Sequence, residues 1–274
     1  MPARRACLAF RALAPTLAVL SLVACAGRAA VHPRAAEEVR RGFAYLDAAD
    51  PERAGVAFSH ALEFDPQFPE ALNGLGIVAR REGDLEAARR RFERAVRLAP
   101  DFAEGHANLG ETLLAASRDE AALEELRAAL RIDPDLADAR QNLARALLRR
   151  GLDEPDRPAR WAEARREYLH LLEADPARAA AHHDLAFMDY VEERFARAEA
   201  GYRRAAELEP ESHEALHGLC ISLVRLGRCA EAARACERCL EVAPGADACR
   251  TSLRGAHACA APCVPRPDRT TRRG

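Results

Sequence analysis

The chain contains no lysine. All 41 of its basic side chains are arginine, and 43 carboxylates offset them to a formal net charge of -2. Such a balance supplies no broad positive field, which excludes nucleic acid as an expected partner. Aromatic residues are scarce, at 5%, while Ala, Leu, Arg and Glu abound. Small and unbranched side chains lose little freedom in a helix, so this is a helix-forming composition. The most apolar stretch, Ala12 to Val23, has 12 residues, where a permanent membrane-spanning helix needs about 20. No nucleophile elbow, P-loop, HExxH or dinucleotide glycine pattern occurs. The nine His are scattered, and the adjacent pair His182 and His183 is a poor metal site, because neighbours on a helix point about 100° apart. The expectation is a protein without catalytic activity, cofactor or metal.

The N-terminus reads as an export signal. Arg4, Arg5 and Arg11 flank or precede the apolar stretch, which ends Leu22-Val23-Ala24-Cys25. That ending resembles the lipobox of bacterial lipoproteins, in which the Cys thiol receives a diacylglycerol and the signal is cut just before it. The resemblance implies a lipid (palmitate) on Cys25. Each buried CH2 of such an anchor contributes about 0.8 kcal/mol to membrane binding. Ala26, rather than Asp, follows the Cys, which by resemblance to enteric lipoproteins implies the periplasmic face of the outer membrane in the cell envelope. An ordinary secretory signal cut nearby is the alternative.

What dominates the rest is a period. Pro66, Pro100 and Pro134 lie 34 residues apart, as do Pro176, Pro210 and Pro244. The gap from Pro134 to Pro176 is 42, so one unit holds eight extra residues. Each Pro stops a helical pattern, because it lacks the N–H and crowds the preceding turn. Inside the units, Gly42, Ala54, Phe58 and Ala61 recur as Gly76, Ala88, Phe92 and Ala95, then as Gly110, Ala122, Leu126 and Ala129, with Tyr45 in the first unit and Leu75 and Leu109 just before the glycines of the second and third. After the irregular unit come Leu185, Ala186, Ala198, Tyr202 and Ala205, then Leu219, Cys220, Ala232, Cys236 and Cys239. This spacing resembles the tetratricopeptide repeat (TPR). The resemblance implies an all-α, right-handed TPR superhelix (an α-solenoid) of about six helix pairs plus a C-terminal capping helix.

The expected boundaries follow: a signal over 1–24, a lipidated linker over 25–34 and a solenoid over 35–258. Its repeats fall at about 35–68, 69–102, 103–136, 137–178, 179–212 and 213–246, with a cap at 247–258 and a Pro- and Arg-rich disordered tail at 259–274. In the fourth unit, Gly151 to Pro158 is expected to break the helix. The extra residues would bulge into solvent or lengthen the turn, either as a tolerated insertion or as a partner-contacting protrusion.

In a TPR array the first helix of each pair lines the concave face. The matched register places Phe43, Asn73, Ile77, Arg80, Asn108, Leu114, Asn142, Arg145, Phe187, Tyr190 and Ile221 there, with Glu111, Leu148 and His183 on the same face. Asn108 and Asn142 share one repeat position, with Asp184 next in line. Such amides either hold an extended segment through its backbone or bridge neighbouring helices. Arg80 and Arg145 would suit a carboxylate.

Apart from Cys7 and Cys25, the cysteines crowd into the last repeat and cap: Cys220, Cys229, Cys236, Cys239, Cys249, Cys259 and Cys263. Outside the cytoplasm this reads as a disulfide staple. Bridged Cα atoms lie about 4.4–6.8 Å apart, and the register makes Cys220–Cys239 the first candidate pair, followed by Cys236–Cys249. Buried free thiols, or a metal or redox role for Cys236 and Cys239, are the alternatives.

Lipobox, six units and the run LHGLCISLVRLGRCAEA together resemble the pilotin-like TPR lipoproteins of type IV pili, the PilF/PilW and Tgl family. The resemblance implies an anchored scaffold that grips protein or peptide clients and promotes assembly of an outer-membrane secretin. A general periplasmic adaptor recruiting peptidoglycan enzymes, proteases or other envelope assembly factors fits the same residues.

Overall fold

The computed structural model describes residues 32–153 and 157–260. The export signal, Cys25, Cys263 and nearly all of the expected tail lie outside the described residues. Those residues form thirteen α-helices and no strand: α1 (Pro33–Asp47), α2 (Pro51–Phe64), α3 (Pro69–Arg81), α4 (Leu85–Leu98), α5 (Ala103–Ala115), α6 (Asp119–Ile132), α7 (Ala137–Asp153), α8 (Arg157–Ala174), α9 (Ala179–Val191), α10 (Phe195–Leu208), α11 (His213–Arg225), α12 (Cys229–Val242) and α13 (Asp247–Ala260). Successive helices pair as antiparallel hairpins that stack into an all-α repeat superhelix. The backbones of neighbouring odd-numbered helices approach one another closely, whereas among the described residues those of even-numbered helices stay further apart and meet only through long side chains, such as Arg127 of α6 and Glu163 of α8 at 2.9 Å. The odd-numbered helices therefore form the inner, concave layer.

Helix α4 shows why these segments fold as they do. Ala88, Phe92 and Ala95 recur at helical spacing and form its buried stripe. The Asp84 carboxylate accepts from the Ala87 N–H at 2.8 Å and caps the first turn. Ala99 leaves the helix, and Pro100 prevents its return.

One position carries the spine of the solenoid. Phe58, Phe92, Leu126, Tyr168 and Tyr202 occupy equivalent places on the even-numbered helices, and each is 2% exposed or less. Phe58, Phe92 and Leu126 each face a glycine of the partner helix, at Gly42, Gly76 and Gly110. A Cβ added at Gly76 would lie 2.5 Å from the Phe92 ring, so the two helices can approach this closely only without it.

The sixth repeat departs from this arrangement, and it corrects the expected cysteine pairing. Cys220 and Cys236 stand where the second repeat has Gly76 and Phe92, and they are joined as a disulfide with Cα atoms 5.4 Å apart. Cys239 is bonded instead to Cys249 at 6.2 Å, and Cys229 to Cys259 at 5.6 Å. The physical reason is the hairpin contact itself. The small residue of the odd-numbered helix meets the spine residue 16 positions later, whereas Cys239 faces onward to α13.

The fourth unit supplies a second correction. Gly151 does not break α7, which continues to Asp153, and α8 starts at Arg157. With 17 and 18 residues, these helices are each four longer than their counterparts α5 (13) and α6 (14). The eight extra residues are therefore one added turn on each helix, close to the 3.6 residues of a turn. The lengthened hairpin is sealed by Trp161, which is 2% exposed and whose indole N–H donates to the Leu148 carbonyl at 3.1 Å.

Helix α13 packs on α11 and α12 in the place of a seventh repeat's first helix. Where α11 presents Leu216, Cys220 and Leu223 to its partner, α13 carries exposed Arg250, Arg254 and His257. It covers the last apolar face without offering another.

Candidate partner-binding groove

The concave layer opens into a hollow of ≈ 510 Å³ between α5, α7 and α9. Of the residues expected on this face, the hollow brings together Leu114, Asn142, Arg145 and Phe187, with Glu111, Leu148 and His183 beside them. Arg149 and Leu152, which the repeat register does not place on this face, also line it. Leu152 belongs to the added turn of α7. Its signal in the sequence was the eight-residue excess, which amounts to two helical turns rather than a loop.

The other expected residues lie elsewhere along the inner layer. Phe43 packs edge-on against Phe58, with ring centroids 5.1 Å apart. Asn73 is buried, and its side-chain oxygen accepts from the Asn108 amide at 2.9 Å. Arg80 reaches the Asn108 oxygen at 3.4 Å and pairs with Glu111. This chain of contacts joins α3 to α5. Ile77 packs half-buried between the cores of the first and middle repeats. Tyr190 lies edge-on to Phe195 at 5.5 Å, and Ile221 is half-buried on α11.

Inside the hollow the charges are unevenly matched. The Tyr168 hydroxyl donates to Asp184 Oδ2 at 2.7 Å, and His183 Nδ1 lies 3.0 Å from Asp184 Oδ1. Burial, reinforced by the Asp184 charge, pushes the Tyr168 phenol above its ordinary range and keeps it a neutral donor. Arg149 is tied to Asp119 and to the Leu114 carbonyl. Arg145, by contrast, is exposed, and among the described residues it has no hydrogen bond or ion pair. A second hollow of ≈ 320 Å³ shares Arg145, His183 and Asp184 with the first and continues past Glu209 and Glu214. Together they form one track with an apolar end, a cationic middle and an acidic end.

His182, the other half of the adjacent pair, points away from this track and bonds the Pro176 carbonyl at 3.0 Å. Its repeat counterpart His106 has Nδ1 2.6 Å from Glu125 and Nε2 3.2 Å from the Pro100 carbonyl. Both ring nitrogens face acceptors, so the imidazolium is favoured. The Glu125 hydrogen bond is the main cause of the raised pKa of His106. Among the described residues no group of His, Cys, Asp and Glu is placed to hold a metal ion, and no helix is long and apolar enough to cross a membrane.

The tetratricopeptide repeat sequence model matches residues 39–90, 75–137 and 190–247. No curated protein matches the chain. Among solved structures, it is similar to PilF of Pseudomonas aeruginosa, with a TM-score of 0.69 at 20% identity, over 82% of this chain and 97% of that one. PilW, a widely conserved type IV pilus biogenesis factor, gives a TM-score of 0.69 at 18% identity, over 81% and 99% of the two chains. YrrB, a TPR protein with an unusual peptide-binding site, gives 0.54 at 23% identity, over 66% and 89%.

Proposed function

We propose, from the premise that this chain belongs to the tetratricopeptide repeat family, that it is a non-catalytic scaffold. In this reading it is tethered to the outer membrane by a lipid on Cys25 and grips segments of client proteins in its concave groove. The observation that carries the reading is the open track across α5, α7 and α9, where a guanidinium, exposed and without a partner among the described residues, stands beside an apolar hollow. An odd-numbered helix layer with unsatisfied polar groups and exposed apolar area is suited to hold an extended segment. Tethering would raise the local concentration of captured subunits and so favour their assembly.

Likeness in fold to PilF and PilW over nearly their whole lengths supports type IV pilus or secretin assembly as the process served. The adaptor reading, with peptidoglycan enzymes, proteases or other assembly factors as clients, rests on the same groove. A photo-crosslinker at position 114 of the full-length protein in its native membrane separates them. Capture of a secretin or pilus assembly protein is the expected result. Capture of a peptidoglycan enzyme or protease alone removes the pilus assignment and keeps the adaptor. A groove that captures nothing refutes the scaffold. Loss of palmitate labelling in Cys25→Ser tests the anchor.

A further inference from the structure

Resting on that scaffold reading, we infer that the groove takes an extended internal segment of a partner protein in which an apolar side chain, an Asp or Glu, and a Lys or Arg follow one another. Three observations carry this. The added turn of α7 places Leu152 against the hollow that Leu114 and Phe187 line from α5 and α9. A unit of ordinary length would end short of that wall, so the added turn gives this repeat an apolar side that a 13-residue helix would lack. An aliphatic or aromatic side chain fits there.

The second observation is Arg145. The carboxylates that could neutralise it are engaged: Glu111 by Arg80, and Asp184 by Tyr168 and His183. Arg145 is thus the cation available beside the apolar seat, and a carboxylate complements it with charge-assisted hydrogen bonds. The third is continuity. Arg145, His183 and Asp184 border both hollows, and the second adds Glu209 and Glu214. A chain that fills the apolar seat and passes Arg145 therefore runs on into an acidic channel, which a basic side chain complements. A terminal carboxylate at Arg145 would end the chain there and sit against the same acidic wall. The carboxylate is accordingly that of an internal residue.

The test uses the full lipidated chain in detergent micelles and fluorescent peptides capped at both ends, with matched controls that keep a free C-terminus. They carry Leu, Glu and Lys in either order, at varied short separations, on a Gly-Ser background. At least one spacing binds. Replacing its Glu by Gln weakens binding about tenfold or more, and Arg145→Glu does the same. A peptide with Lys in place of that Glu then recovers binding to the Arg145→Glu protein, which a merely structural role for Arg145 would not produce. Leu152→Ser weakens the Leu-bearing peptides and leaves Leu-less controls unchanged. Three results overturn the inference: no binding by any peptide at millimolar concentration, no recovery on charge swap, or binding that requires a free C-terminal carboxylate. Crosslinks from position 114 without any such peptide binding would leave the scaffold standing and remove this motif.

Discussion

In the second repeat, Gly76 meets the Phe92 ring across the helical hairpin; in the sixth, the equivalent positions hold Cys220 and Cys236, joined covalently. The two solutions are of similar size. Burying a Phe side chain contributes about 1.5–3 kcal/mol, and a disulfide typically about 2–4 kcal/mol. They differ in what they require. The Phe92 ring needs packing on all sides, and α4 has a repeat before it and a repeat after it. A disulfide acts largely by restricting the unfolded chain, so it stabilises a hairpin whose far side has only a capping helix. The other bridges extend this logic. Cys229–Cys259 and Cys239–Cys249 fasten both ends of α12 to α13, across sequence separations of 30 and 10 residues. Covalent stapling is concentrated where neighbours run out.

Reduction should break this contrast most severely. In the presence of a phosphine reductant, α11 to α13 lose amide-exchange protection while α3 to α6 keep theirs, with about 2–4 kcal/mol lost per bridge. Uniform loss along the chain, or none, would contradict the division. A transplant sharpens the same contrast. Cys220→Gly with Cys236→Phe installs the second repeat's solution in the sixth, and it should exceed Cys220→Ser with Cys236→Ser in stability by about 2 kcal/mol in urea unfolding. If the two double variants unfold at the same midpoint, packing cannot replace the bridge at this end.

The smallest effect concerns the clasp of the third repeat. His106 and Glu125 are matched in the fourth by Arg140 and Glu167, which pair at 2.5 Å. The folded-state pKa of His106 lies above its ordinary value of 6.5. Its contribution is therefore fully present below that value and is lost as pH rises through the folded pKa. His106→Gln should destabilise the protein at mildly acidic pH and become nearly neutral at mildly basic pH, whereas Arg140→Gln should cost the same at both. A pH-independent penalty for His106→Gln would show that the ring is not held as imidazolium.

The 34-residue spacing of the prolines was sufficient to read the fold, because each Pro ends a helix for a local reason. Partner choice was harder to read. Repeat register alone sets Cys220 opposite Cys239, whereas the contacts of Gly42 with Phe58 and of Gly76 with Phe92 in the folded chain place its partner 16 residues on. In the fourth unit Gly and Pro signal a break, yet Trp161 closes over Gly151 and the Leu148 carbonyl and lets the helices run on. In the groove, the sequence placed Asn73, Arg80, Asn108 and Arg145 on one face. It did not reveal that the first three are absorbed into contacts with each other and with Glu111 while Arg145 is left over. That distinction depends on distances between repeats, which no single repeat encodes.

The polar outer side of α13 has a consequence for molecules in a crowd. A stack of identical hairpins is open at both ends, and a head-to-tail contact that does not close on itself propagates into a filament. Arg250, Arg254 and His257 stand where a continuing repeat would present leucine and a small residue. The first helix of another copy thus finds no apolar seat and meets two guanidinium groups instead. Head-to-tail addition of a further copy at this end is disfavoured.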